Sequence, residues 1–314
     1  NESYMDPETE LQVAQMICSQ LNAAVLSQIA ASMITDENMV VLYNGPEKDG
    51  LTNPTEEELA AVIAAVKTAE IEANVEEAVN EPLIGKNLKG SKVKKTAEGI
   101  YGSTEWTLKN GLKVVVLPTE YKKDQVIMNL KFDGGKTLVS DEEIVSLEDN
   151  IWSVYLNNTG ISKFPSTVLS KMLAGKNVSM NPYIGGTQHG ISGSSTPKDL
   201  ETAFQLMYLL FAEPRFDAEE YATGIQQIEA ILPNIANNPD FLFQNYVSET
   251  LYGGNKRVVE LNSETLAAAS LETIETVYRR LFDNVGGATL YIIGNVDLET
   301  LKPMVEKYAG SLPK

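Results

Sequence analysis

The chain is short of the residues that usually carry chemistry. Its 314 residues include one histidine, His189, and one cysteine, Cys18. A lone cysteine excludes an intrachain disulfide, so the compartment cannot be read from thiols. A lone histidine excludes any metal centre or catalytic pair that needs two imidazoles. No stretch reaches the ~18 apolar residues a membrane-spanning helix requires, and no signal peptide is recognisable. Basic residues are outnumbered, 25 against 43 acidic, for a formal charge of -18. Nucleic acid and anionic membranes would be repelled by that balance. It could favour a basic peptide, although a solvated acidic surface accounts for it without a partner.

What is present is a globular composition. Hydrophobic residues make up 43% and charged residues 22%, enough for about two domains with real cores and too apolar for whole-chain disorder. The chain opens at "NESYMDPETE", without an initiator methionine and inside a helical pattern, which reads as part of something longer.

Helical spacing runs from Asp6 to Met33, with a break near Leu21. "MVVLYNG" (39–45) then reads as a short buried strand. Thr55 is a good N-cap for a helix with Leu59, Val62, Ile63 and Val66 on one face. Residues 72–103 lose periodicity, begin acidic and carry five lysines between Lys86 and Lys95. They read as an interdomain linker lying over the surface.

A second unit starts at Thr104. "EWTLKNGLKVVVLPT" is a strand hairpin turning at Asn110-Gly111, and "VIMNLKFDGG" is a further strand. Ser140 is expected to cap a helix with Ile144, Leu147, Ile151 and Tyr155 on one face. A helix over 165–174 stops at Gly175. Paired strands follow in "VSMNPYIG" and "GTQHGISGSS". Helices are expected from Thr196-Pro197 to Phe211, from Asp217 towards Asn234, from Pro239 to "YGGN" and over 271–282. A strand, "ATLYIIG", and a helix over Leu298–Tyr308 close the chain. The two ends repeat one another, since "VLSQIAASMITDENMVVLYNG" before a helix matches "TIETVYRRLFDNVGGATLYIIG" before a helix. That pattern predicts two homologous tandem domains, the first represented only by its last portion, residues 1–71.

The second unit resembles a domain of the insulinase/pitrilysin family of zinc metallopeptidases, which includes mitochondrial processing peptidases. The resemblance rests on "WTLKNGLKVVVLP", "FDGG", "SKMLAGKNVSMNPYIGG", "PRFDAEEY" and, most specifically, "LYIIGNVDLETLKPMVEKYAGSLP". "ITDENMVVLYNGPEKDG" is similar to the end of a preceding family domain. The resemblance implies an α+β fold, a mostly antiparallel sheet packed against helices, with residues 104–314 a complete domain.

Active members bind zinc through an inverted His-x-x-Glu-His motif on the helix after the first long strand. Positions i and i+4 lie on one helix face, so both imidazoles reach one metal while the glutamate activates water. Aligned on Thr159-Gly160, the motif falls on "IWSVY". Ile151 and Tyr155 then occupy the histidine positions and Val154 the glutamate position, and none is a usual zinc ligand. No catalytic or metal residue is therefore expected in this chain, and zinc is expected in the parent's catalytic domain instead.

The other candidates weigh little. His189 reads as structural. Glu229 lies where active relatives carry a downstream metal glutamate, but it has no histidines to assist and reads as a solvated helix position. Ser192, Ser194 and Ser195 have no histidine partner and read as loop and cap chemistry. "FDGGK" lacks the order of a phosphate loop. By resemblance, "NPYIGGTQHGISGS" corresponds to a strand that pairs with substrate backbone at the sheet edge, with Asn181 and Tyr183 as candidate substrate-binding residues.

The reading is of a piece of a bacterial-type zinc protease containing its inactive domain, which forms chamber wall and helps bind peptide. The implied partners are a peptide or unfolded-protein substrate and the catalytic half of the same parent. An exported, periplasmic location is favoured. The alternative is a scaffold whose whole parent is inactive.

Overall fold

The computed structural model of the chain describes residues 4–35, 37–72 and 80–314. It divides into two units, Asn1–Val75 and Glu76–Lys314.

The first unit holds three helices: α1 (Pro7–Gln20), α2 (Ala23–Met33) and α3 (Glu56–Thr68). Side chains of Asp6, Asn22 and Thr55 cap them in turn, and Thr55 with Glu58 forms a full capping box. The break expected near Leu21 is present. The buried strand expected over residues 39–45 is not. Residues 39–45 form no strand, and Val40 and Leu42 are 89% and 87% exposed. A strand is held by its neighbours' hydrogen bonds, and the described residues of this unit contain no other strand. For the same reason Val62 and Val66 on α3 are exposed.

The second unit is built on seven strands: β1 (Val93–Glu98), β2 (Thr104–Leu108), β3 (Lys113–Pro118), β4 (Val126–Asp133), β5 (Val178–Ile184), β6 (Gln188–Ser195) and β7 (Thr289–Gly294). Its helices are α4 (Asp149–Asn158), α5 (Ser166–Met172), α6 (Leu200–Ala212), α7 (Ala218–Ala236), α8 (Pro239–Tyr252), α9 (Ser263–Ala268), α10 (Leu271–Leu281) and α11 (Leu298–Lys307). The sheet order is β1-β2-β3-β7-β4-β6-β5, and only the β3–β7 pair is parallel. This is the mostly antiparallel α+β architecture the sequence suggested.

Alternation along the strands explains the layering. Trp106, Leu108, Val114, Val116, Met128, Leu130, Leu290 and Ile292 all point to one face and are buried under the helices. Their neighbours Glu105, Val115, Asn129, Tyr291 and Ser192 point the other way and stay only half-buried. One face is therefore core and the other is open. The β2–β3 turn is longer than a two-residue hairpin. Gly111 takes φ 87°, its N–H donates to the Leu108 carbonyl, and Asn110 is buried, donating to the carbonyls of Ala309 and Leu312.

Within the core, Tyr278 solves a local problem at the end of α6. The Leu210 carbonyl would ordinarily accept from residue 214, but that residue is Pro214, which has no N–H. The buried Tyr278 hydroxyl donates to it instead, at 2.7 Å.

Two segments differ from expectation. The stretch read as linker contains β1, which pairs along β2, and the residues before β1 form a strap across α11. Ser91 N–H donates to the Glu306 carbonyl, Val93 N–H to the Glu306 carboxylate and Gly90 N–H to Ser311. Lys86 pairs with Glu213 at 2.5 Å and Lys163 pairs with Glu81, while Leu83, Ile84 and Leu88 pack on the core. Such contacts are tertiary, so no period in the sequence announces them. The helix expected from Ser140 is also interrupted. A 3-10 turn over Ile144–Leu147 ends at Glu148, whose backbone is extended (ψ 141°) and whose carboxylate accepts from Asn150 and Ile151 N–H to start α4. The acid acts as a cap in mid-sequence.

Candidate functional site

The resemblance places the zinc-ligand helix of active relatives at α4, and the α4 side chains at those positions are packed against neighbouring elements. Ile151 is completely buried, Val154 lies against Gly224 of α7, and Tyr155 stacks on Phe216 at 5.3 Å. Burial pushes the Tyr155 phenol well above its ordinary range. None of the three side chains offers a zinc ligand, so α4 does not fit the metal. Among the described residues, no cluster of three His, Cys, Asp or Glu side chains could hold a metal ion.

His189 sits on the core face of β6, stacked on Phe132 at 5.0 Å and edge-on to Phe282. Gly135 N–H donates to its Nδ1 at 3.3 Å, which leaves Nε2 to donate to the Leu281 carbonyl at 3.0 Å. Burial holds its pKa below the usual value, partly offset by the Leu281 carbonyl. Ser192 and Ser194 point to the opposite face of the same strand, out of its reach, and Ser195 is buried. Glu229 is exposed on α7.

The two sheet edges differ. At one, β1 presents Lys94 and Lys95, both exposed, beside a register shift between Val93 and Lys95. Lysines and bulges are what keep an edge from pairing. At the other, β5 carries neither a lysine nor a register shift, and Pro182 is the residue that blunts it. Its hydrogen bonds to β6 run through residues 177, 179, 181, 183 and 185, as the Thr196–Asn177 and Gly185–Gln188 bonds and the register fix. The N–H and C=O groups of Val178 and Met180 and the carbonyl of Pro182 therefore face away from the sheet. Pro182 falls where its missing N–H costs no ladder bond.

Below this edge lies a groove of about 250 Å³, with Leu169, Leu173, Met180, Leu206, Leu210 and Tyr155 among its lining. An engineered apolar cavity of roughly 150 Å³ holds benzene, so the groove has room for a large side chain. The structure brings Tyr155 and Asn181 to this one groove and does not bring Tyr183 to it. Asn181 is exposed, donating to Ser179 at 3.2 Å. Tyr183 instead lies across Gly190, where any Cβ would meet its ring, and donates to Asn129 on β4 at 3.1 Å. Burial raises its pKa. The apolar residues of α5 and α6 that floor the groove were not among the residues the sequence singled out. Their spacing marks them only as helix faces.

The mostly antiparallel α+β fold agrees with the resemblance to insulinase/pitrilysin zinc-peptidase domains. No protein-family model matches the chain. A zinc protease PQQL-like protein of Arabidopsis thaliana is 25% identical over 315 residues, covering 98% of this chain and 30% of that protein. The Escherichia coli (strain K12) protein described as a probable zinc protease, PqqL, is 23% identical over 67% of this chain and 22% of its own length. The chain thus spans less than a third of either relative. Among solved structures, the periplasmic protease PqqL of Escherichia coli superimposes with a TM-score of 0.64 at 18% identity, over 83% of this chain and 28% of that one. The ferredoxin protease FusC, in complex with Arabidopsis ferredoxin, gives 0.59 at 18%, over 84% and 29%. A peptidase M16 inactive domain from Pseudomonas fluorescens gives 0.52 at 16%, over 68% and 51%.

Proposed function

We propose that this chain supplies a non-catalytic domain to a zinc peptidase, where it forms part of a substrate chamber and binds extended peptide. The zinc and its ligands then belong to a catalytic half elsewhere in the parent protein, which is its intramolecular partner. In this reading residues 1–71 are the closing portion of a preceding family domain. An exported, periplasmic setting agrees with the description of the PqqL neighbour, and no helix among the described residues is long and apolar enough to cross a membrane. Asn181 contacts substrate at the edge, while Tyr183 shapes the open face.

One observation carries the reading: among the described residues, an open-faced sheet ends in an edge strand without lysine or register shift, β5, above an apolar groove. Edge pairing needs only main-chain groups, so it outlives the loss of metal ligands. The relatives described as zinc proteases favour this role over that of a scaffold within an inactive parent.

The test is anisotropy of a fluorescein-labelled, strand-forming peptide titrated with the full chain, in chelator and in zinc. Binding indifferent to both, and abolished by N-methylating alternate peptide amides, is the expected result. Chelator-sensitive cleavage by the chain, or no binding at millimolar protein, would overturn the reading. A His-x-x-Glu-His encoded about one domain upstream would separate peptidase from scaffold.

A further inference from the structure

The turn between β2 and β3 is built on a dipeptide that is chemically labile. In an asparagine–glycine step the glycine backbone nitrogen can reach the asparagine carboxamide carbon, because the glycine has no side chain to block it. The sequence contains two such steps, Asn44-Gly45 and Asn110-Gly111. Asn44 and Gly45 are exposed, whereas Asn110 is buried.

The folded turn engages the reacting groups of Asn110-Gly111 in other bonds. Nδ2 of Asn110 donates to the carbonyls of Ala309 at 2.9 Å and Leu312 at 3.2 Å, and Oδ1 accepts from Leu112 N–H at 3.3 Å. The Gly111 N–H, whose nitrogen would attack, donates to the Leu108 carbonyl at 3.1 Å. Leu108, Leu112, Ala309 and Leu312 are all buried around them. The carboxamide can turn towards the Gly111 nitrogen only by giving up these bonds inside a packed site. Gly111 itself is dictated by its φ of 87°, which a residue with a side chain adopts only under strain. The turn therefore needs the very residue that makes it labile.

We propose that Asn110 is a modification site gated by conformation, preserved while the turn is closed and deamidated when it opens. The Gly111 nitrogen bonds to Cγ of Asn110, the Cγ–Nδ2 bond breaks, and ammonia leaves with the proton from Gly111, giving a succinimide. Water then opens the ring at either carbonyl, to aspartate or to isoaspartate. Neither product rebuilds the original contacts. An aspartate carboxylate only accepts hydrogen bonds, and it would face the carbonyl oxygens of Ala309 and Leu312 in a buried site. Isoaspartate lengthens the main chain by a methylene between β2 and β3. An opening of the turn thus leaves a covalent record, and a marked chain loses the tie between this turn and the closing residues 309–312.

Peptide mapping by mass spectrometry, on the full chain held in mildly alkaline buffer with and without urea, reads both steps at once. The ratio of modified Asn110 to modified Asn44 should be at least about tenfold lower in the folded chain than in urea, since a buried, hydrogen-bonded turn of the sheet opens rarely. Asn110→Asp, which installs one product, should lower the melting temperature by several degrees, while Asn44→Asp should leave it unchanged. The same ratio with and without urea would overturn the inference, as would an N110D protein that melts with the parent. The mapping uses the unaltered chain, so it decides even where Asn110→Asp fails to fold.

Discussion

Placing a histidine at position 151 tests whether α4 is held by packing or merely awaits its metal ligands. Ile151 is 0% exposed and lies in the core beneath the sheet. Removing its buried aliphatic surface costs about 1.5–3 kcal/mol. Leaving a buried imidazole nitrogen without a partner costs about 1–3 kcal/mol more. The sum, roughly 3–6 kcal/mol, is a large part of the ~5–15 kcal/mol that stabilises a typical domain. At about 2–4 °C per kcal/mol for a domain of this size, Ile151→His should melt at least several degrees lower by circular dichroism, with or without zinc. Trp152→His, on the half-buried neighbouring position, should fall less. The triple change I151H/V154E/Y155H rebuilds the motif in sequence but should not give a folded protein that retains zinc through dialysis. A folded triple variant with one tightly bound zinc, or an Ile151→His protein melting within about 2 °C of the parent, would refute the reasoning.

Three further outcomes are expected. Tyr278→Phe leaves the Leu210 carbonyl without a donor, costing about 1–3 kcal/mol, and Pro214→Ala should partly restore the loss in thermal melts by returning an N–H to that turn. The hydrogen bonds from Arg280 hold the Glu143 carboxyl down to about 2. Its contribution is complete above pH 4.5 and vanishes as pH falls towards 2, so Glu143→Gln should flatten that part of the stability profile. Burial depresses the His189 pKa, so the unfolded chain takes up that proton first. Stability should be full above about pH 6.5 and decline below it as acid protonates the unfolded chain's imidazole while the folded one resists, a slope that His189→Phe removes in melts across pH 8 to 5.

The sheet was legible because its signals are local. Alternation in "VIMNLKFD", the turn at Asn110-Gly111 and the closing "ATLYIIG" each name a strand without outside help, and the helix caps at Thr55 and Asp217 were equally plain. Residues 93–98 escaped because four of the six are lysine, threonine or glutamate, suited to a guarded edge and indistinguishable from linker. Residues 39–45 misled in the other direction, since apolar β-branched residues mark strand propensity whether or not a neighbour exists to pair with. At the candidate site, the expectation that α4 holds no zinc pair rested on counting histidines. The groove could not be counted, because it forms where Leu169, Met180 and Leu206, distant in sequence, converge. The break at Glu148 had a signal, an acid before "DN", which resembles a helix start as much as a helix interior.

The strap over α11 sets where a free-standing version of the second unit must begin. A protein truncated at Thr104 would lose Leu83, Ile84 and Leu88 from their packing and strip Glu306 of its partners at Ser91, Lys92 and Val93. It would also convert β2 from an interior strand to a bare margin, without the lysines that screen β1, and molecules cut there should stick to one another through that margin. Starting near Asn80 keeps the margin covered, and the thirteen residues ahead of β1 then travel with the domain they clasp.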